Sequence, residues 1–226
     1  MKKLMMVVTM MVAVMSASAQ YESGQFSIQP RVGVSASQFT NMPAINLGGS
    51  DIDSKPIGGL IAGADAEYQV NNWFSLSAGL NFSMQGSGWE DFKDKTGGST
   101  IKYKDIKIET NVLNIPVTAN FYVWKGLAVR SGVQFGFLTS AKYKAEIEGR
   151  SSGVHVDAKV DEDCKDDLKK FDIAIPVGLS YEFNNHLVID MRYNIGLTKV
   201  NKESVSGYKD SKNGVLTLTV GYKIPL

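Results

Sequence analysis

Two histidines are the residues of this chain best suited to moving protons near neutral pH, His155 and His186. His155 has Asp157 two residues on and Ser151-Ser152 just before it, the residue types of an acyl-transfer triad. Such a triad needs all three members within hydrogen-bonding reach of one another. His186 lies in Asn184-Asn185-His186, a short turn that the strand pattern puts at the opposite end of the fold. The run Asp161-Glu162-Asp163-Cys164-Lys165-Asp166-Asp167 is acidic enough to attract Ca²⁺. It lacks the spaced ligands and central glycine of a calcium loop. Cys164 is the only cysteine, so no internal disulfide forms, and its hydrophilic setting reads as a tolerated free thiol. No phosphate loop, zinc spacing or dinucleotide fingerprint occurs. The reading therefore assigns no catalytic, cofactor-binding or metal site and expects no enzyme, with lipid modification as the least favoured activity.

A larger polar set has a different logic. Asp65, Glu67, Asp172, Glu182 and Asp190 balance Arg31, Arg130, Arg192 and Lys223, and each alternates with apolar neighbours. From Phe74 to Met84 every second residue is apolar (Phe74, Leu76, Ala78, Leu80, Phe82, Met84), with Ser75, Ser77, Gly79, Asn81 and Ser83 between them. Strands send alternate side chains to opposite faces, so this is a strand with one apolar and one polar side. The same pattern recurs over 28–36, 60–68, 113–123, 127–137, 171–183, 187–197 and 216–224, eight strands in all.

Connections alternate between short ones, at Asn71-Asn72, Trp124-Lys125-Gly126 and Asn184-Asn185-His186, and long ones over 38–57, 87–107, 141–170 and 200–212. Tight turns on one side and long loops on the other are the asymmetry of outer-membrane barrels, with the turns in the periplasm. Which face points inward is decided by the weaker face. It carries Gly33, Gly63, Gly79, Gly132, Gly136, Gly178, Gly196 and Gly221, suited to a narrow filled lumen, whereas a solvated strand surface would favour Lys, Glu and Thr. Tyr68, Trp73, Phe74, Phe121, Trp124, Tyr181, Phe183 and Tyr222 all fall near the short-turn end of their strands, as an interfacial girdle does. The charges then pair inside the lumen, since buried charges persist only when paired.

Residues 1–19 read as a cleaved signal peptide: Lys2-Lys3, an apolar Leu4 to Met15, and Ala17-Ser18-Ala19 as a small-x-small cleavage site. Their loss takes the formal charge from +1 to about −1, which argues against a nucleic-acid partner. Residues 20–226 make one domain, with no later apolar run long enough for a spanning helix. At the other end Thr219, Gly221, Ile224 and Leu226 fit a terminal-strand signal for the barrel assembly machinery, which reads an exposed strand edge. Leu226 stands where that signal usually has an aromatic. Within the long loops, Ile101, Tyr103, Ile106 and Ile108 suggest strand continuing above the membrane with a phase slip near Lys104-Asp105. Tyr143, Ala145, Ile147 and then Val154, Val156, Ala158, Val160 suggest a hairpin around Gly149 to Gly153.

Four segments carry a family likeness: Leu113-Asn-Ile-Pro-Val-Thr-Ala-Asn-Phe121, Gly132-Val-Gln-Phe-Gly-Phe-Leu-Thr-Ser-Ala-Lys142, Asp172-Ile-Ala-Ile-Pro-Val-Gly-Leu-Ser-Tyr-Glu-Phe183 and Asp190-Met-Arg-Tyr-Asn-Ile-Gly-Leu197. The chain resembles the PorT-like outer-membrane β-barrel family of Bacteroidetes. The resemblance implies an eight-stranded barrel and, through the founding member, an association with protein secretion. It transfers no site residue. The expected protein is all-β: an eight-stranded antiparallel up-and-down transmembrane β-barrel in the cell outer membrane, monomeric and with a filled lumen. Its partners are outer-membrane lipid, the assembly machinery and a protein at the extracellular loops, and it takes no cofactor. Small-solute transport is the alternative function.

Overall fold

The computed structural model describes residues 23–41, 45–47, 50–52, 54–96, 99–151, 154–202 and 210–226. The signal-peptide expectation lies outside them. Eight long strands make the barrel: β1 (Phe26–Thr40), β2 (Ile57–Asn71), β3 (Phe74–Trp89), β4 (Ser99–Trp124), β5 (Leu127–Ser151), β6 (Phe171–Glu182), β7 (Leu187–Lys199) and β8 (Lys212–Tyr222). Every strand pairs antiparallel with its neighbour in sequence, and β1 pairs with β8, so the sheet closes into a ring. Closure is what lipid demands, because each backbone N–H and C=O must find its partner inside the protein.

The faces are as the glycine argument has them. Val32, Val34, Leu60, Leu80, Val117, Leu179, Met191 and Leu218 are exposed on the outside, while Gln29, Arg31, Asp65, Asn81, Asn120, Arg130, Asp190 and Thr219 are buried within. Phe74 to Met84 covers about 25 Å of height at ~3.3 Å per residue and a strand tilt near ~40°, which matches the hydrocarbon layer. The girdle is present at the short-turn end. Phe74 packs on Phe121 at 5.1 Å, Phe26 on Tyr68 at 4.7 Å and Tyr181 on Phe183 at 4.8 Å between ring centroids. There the tight turns place Lys125 and His186 at positive φ.

The glycines serve a purpose other than making room for lumen side chains alone. A Cβ on Gly33 would stand 2.0 Å from the Leu218 carbonyl oxygen, and one on Gly132 would stand 2.0 Å from that of Val117. The neighbouring strand's own backbone occupies the space, as strong coiling of a small barrel requires. Prolines leave a second mark. Register between β3 and β4 lapses opposite Pro116, and between β5 and β6 at Ile175-Pro176, since proline has no N–H to donate.

Two of the expected long loops are mostly strand. β4 runs for 26 residues and β5 for 25, well beyond the roughly 9–11 residues that cross a bilayer. Their extensions stand above the lipid belt, flanked by the short strands Phe92–Thr96 and Val154–Asp163. Two bulges shape them. Thr139 is an extra residue in β5 between Asn111↔Ser140 and Val112↔Leu138, and β4 takes an extra residue between Lys104 and Lys107, which restores the register. The second bulge is the expected phase slip, and Asp105 sits there at φ 51°. The expected hairpin also forms, with Val154 opposite Ser151.

The lipid belt predicts its own sensitivity. Leu80→Arg, at mid-height on the outward face, should cost roughly 2–4 kcal/mol of barrel stability in phospholipid vesicles by urea titration. Lys144→Leu, outward on the same sheet but above the belt, should change it by less than about 1 kcal/mol.

Candidate functional site

The lumen is spanned by a band of eight paired charges. Asp190 of β7 meets Arg130 of β5 at 2.8 Å, Arg192 at 2.6 Å and Arg31 of β1 at 3.6 Å. Asp65 of β2 meets Arg192 at 2.9 Å and Arg31 at 3.2 Å. Arg130 continues to Glu67 at 3.2 Å, and Glu67 to Lys223 at 3.0 Å, which also holds Glu182 at 3.2 Å. Four acids and four bases thus form one connected neutral network, and most of its pairs join strands that are not neighbours in the sheet. All eight side chains are at most 3% exposed.

Of the nine charges expected in the lumen, Asp172 is the exception. It faces inward on β6, but its carboxylate accepts from the Thr198 hydroxyl near the outer mouth and has no ion pair among the described residues. Alternation assigns a face and says nothing of height, and Asp172 lies a full level above the arginines. A participant not singled out in the sequence is Tyr122, whose hydroxyl donates to Glu67 at 2.5 Å and accepts from Lys223 at 2.8 Å. Its inward parity was available, but two outward aromatics surround it in the sequence. Asn120 completes the packing by accepting from Arg130 Nε at 2.8 Å and donating to Ser75 at 2.9 Å. Above the network, among Asn81, Asn114, Gln134 and Asn194, the enclosed space is about 10 Å³. That is at the lower limit for a single water molecule.

Higher still, the inward face changes character. Phe39, Val112, Ala174 and Val215 are buried at the outer mouth, and Leu168 of the β5–β6 connection closes over them. The connection is tied down by hydrogen bonds from Lys169 N to Val200 O at 2.7 Å and from Leu138 N to Lys170 O at 2.9 Å. In the extensions of β4 and β5, Ile106 and Ala145 join Ile52 and Trp89 in a small core, with Phe92, Tyr103, Ile108, Tyr143 and Val160 against it. The opposite face carries charges paired across neighbouring strands, directly or diagonally: Lys104–Glu148 at 2.7 Å, Lys144–Glu109 at 2.7 Å, Lys159–Glu146 at 2.6 Å and Lys142–Asp161 at 3.0 Å. Ile106 and Ala145 fall in the expected strand extensions, but their partners were not legible, because Ile52 comes from a connection and Trp89 from the far end of β3.

The two histidine positions lie at opposite ends of the barrel. His186, in the periplasmic turn, lies 3.5 Å from Glu182. The backbone of His155 pairs with that of Arg150 in the extracellular extension, while its side chain, like Ser151 and Ser152, lies outside the described side chains. Cys164 is half-buried, its thiol pushed up by burial and by the Asp163 and Asp167 carboxylates. Among the described residues no cluster of His, Cys, Asp or Glu is arranged to hold a metal ion.

The closed ring, the apolar exterior and the paired interior agree with a family match. The model of the outer membrane protein beta-barrel domain matches residues 18–202. The chain belongs to that family. This outer membrane protein beta-barrel is also similar to solved structures. Ail, the attachment invasion locus protein of Yersinia pestis, is 17% identical with a TM-score of 0.41, over 89% of this chain and 99% of that one. Neisserial surface protein A is 14% identical with a TM-score of 0.39, over 87% and 96%. OprG from Pseudomonas aeruginosa is 12% identical with a TM-score of 0.37, over 91% and 97%. No curated protein matches the chain. The barrel resides in the outer membrane, and its apolar belt faces lipid.

Two outcomes follow from the site. Asp190→Asn removes the carboxylate shared by three arginines and should cost about 3–5 kcal/mol, because it leaves buried cations short of a partner. Urea unfolding in micelles reads it, alongside Asp172→Asn, which should cost less than about 1.5 kcal/mol because the amide oxygen can still accept from the Thr198 hydroxyl. In the extracellular ladder, the hydrogen bond from Lys104 holds the Glu148 carboxyl below its ordinary value, and that from Lys170 does the same for Asp166. A lowered carboxyl stabilises the fold above its unfolded-state value and loses that contribution as pH falls through the folded value. Amide exchange over 141–151, corrected for intrinsic rates, should therefore quicken between pH 6 and pH 3, while 74–84 stays protected.

Proposed function

We propose that this barrel is sealed and works at its extracellular end, as a structural or partner-binding component of the cell envelope. One observation carries the reading: the eight-charge network crosses the lumen from β1 and β2 to β5, β6 and β7, with about 10 Å³ of enclosed space above it. A solute path through this section would have to separate buried ion pairs that stand in a medium where separation is costly. The ordered extension, with its own apolar core and charged outer face, supports placing the contact surface outside the cell.

In its finer form the proposal has a mature chain that begins after residue 19, inserts through its C-terminal strand and acts as a monomer. The likeness to the PorT-like family of Bacteroidetes gives an accessory role in protein secretion as the specific envelope process. Planar-bilayer recording of the purified full chain tests the core of the proposal. The expected result is no steady conductance at 1 M KCl. Step conductance that disappears when Arg130 is replaced would instead establish a solute channel.

A further inference from the structure

The extracellular extension ends in a strand edge that no described strand covers. At its top the sheet runs in the order Phe92–Thr96, β4, β5 and Val154–Asp163, and the last of these pairs only with β5 among the described residues. It is 10 residues long, about 33 Å at ~3.3 Å per residue, and Asp157, Ala158, Lys159 and Asp161 are exposed. An edge of that length offers backbone N–H and C=O groups to any strand that can lie beside it.

Charges usually blunt such an edge. Here they select. Asp157, Lys159 and Asp161 share the outward face, where Lys159 reaches Glu146 at 2.6 Å and Asp161 reaches Lys142 at 3.0 Å. Asp157 is left over. It stands directly opposite Glu148 of β5, which Lys104 already holds at 2.7 Å, and it has no ion pair among the described residues. Like charges directly opposite one another weaken a ladder, so Asp157 calls for a cation on its other side.

The strand's own sequence supplies one. A second, antiparallel copy must set odd positions opposite odd positions, or the apolar and charged faces mix. Among those registers, the one centred on Ala158 sets Asp157 opposite Lys159 of the second copy, and Lys159 opposite its Asp157, with no like charges opposed. Centring on Lys159 opposes the two lysines, and centring on Val160 opposes Asp157 to Asp163. The register centred on Ala158 also sets Val156 opposite Val160 and His155 opposite Asp161.

We infer that Val154–Asp163 is a self-recognition edge, joining two copies of this chain through an antiparallel pair centred on Ala158. The inference rests on the reading of the extracellular end as a contact surface and names its partner. Geometry fixes where the second copy stands. Antiparallel neighbours are related by a twofold axis perpendicular to their sheet, and this sheet rises out of the membrane with β4 and β5. The axis therefore lies along the membrane plane, and the second barrel sits in a membrane facing the first. Within each membrane the barrel remains a monomer.

The test uses the full chain in phosphatidylcholine vesicles, in two populations carrying different dyes, with docking read by two-colour coincidence of single vesicles. Docking is expected when both populations carry the protein and not when one is empty. Asp157→Lys and Lys159→Asp should each reduce it several-fold, since either change opposes like charges. Mixing one population of each variant should restore it, because each copy then supplies the charge the other lacks. In a Cys164→Ser background, Ala158→Cys should give disulfide-linked dimers and Val160→Cys several-fold fewer, since only residue 158 stands opposite itself. Heat-modifiability on gels verifies that each variant is folded. If either charge variant does not fold, the cysteine pair decides.

Equal docking to empty vesicles overturns the inference, as does absence of docking by the unmodified chain. So does docking that both charge variants leave intact, a mixture no better than its components, or equal cross-linking at 158 and 160. None of these outcomes bears on conductance, so failure of the edge and failure of the sealed-barrel reading are separable.

Discussion

In hydrocarbon an unpaired backbone amide costs several kcal/mol, and no water is there to relieve it. A sheet that enters lipid must therefore close on itself, and closing eight strands leaves an interior only as wide as the side chains that fill it. The remaining features follow from that restriction. The outward face is released from packing and becomes an apolar coat: Val32, Leu60, Leu80 and Leu218. The inward face has no room for bulk water, so a charge there must find its counter-charge within the protein. Arg31, Arg130, Arg192 and Lys223 do so with Asp65, Glu67, Asp190 and Glu182.

The network adds a kind of restraint that the hydrogen-bonded ladder lacks. Ladder bonds join adjacent strands only. Arg31 to Asp190 joins β1 to β7, Arg130 to Glu67 joins β5 to β2, and Lys223 ties the segment after β8 to β2 and β6. These are braces across the lumen, and several of them straddle the seam where the first and last strands meet. The ladder at the seam also has a gap. Between Ile28 and Arg31 its register is interrupted, around Pro30, and resumes in the short Ile224–Pro225 pairing. Lys223 lies at that gap with its ammonium buried against two carboxylates and the Tyr122 hydroxyl.

Much of this was legible because the period of a strand is two and both faces are under strong selection by their surroundings. Phe74 to Met84 reads as a membrane strand without further help, and even the phase slip near Asp105 shows as a break in the Ile101–Ile108 alternation. What alternation cannot encode is height. Asp172 and Asp190 both face inward, yet one reaches three arginines and the other reaches Thr198. The extracellular core was hidden for a related reason. Trp89 continues the inward parity of Ser75, Ser77 and Ser83, where it looks like an error in a polar face. It is instead the point at which that face leaves the membrane and packs on Ile52 and Ile106.

Along β4 and β5, then, one continuous pair of strands passes through two solvents. In the bilayer Leu113, Val117 and Phe137 point out and Asn114, Thr118 and Gln134 point in; above it Lys104, Lys142 and Lys144 point out and Ile106, Ile108 and Ala145 point in. The polarity inverts without a break in the backbone, and the two bulges adjust the phase where the outer surroundings change from lipid to water. A segment built only to link two strands would satisfy its backbone with water and need no apolar interior. This one buries Ile106 and Ala145 to within 5% of full burial and spans residues far beyond what crossing requires. Ordering those residues costs about 1–2 kcal/mol each in backbone entropy alone. That cost is offset by the core and the sheet pairing, and what it yields is a fixed charged face on the outer side of the barrel.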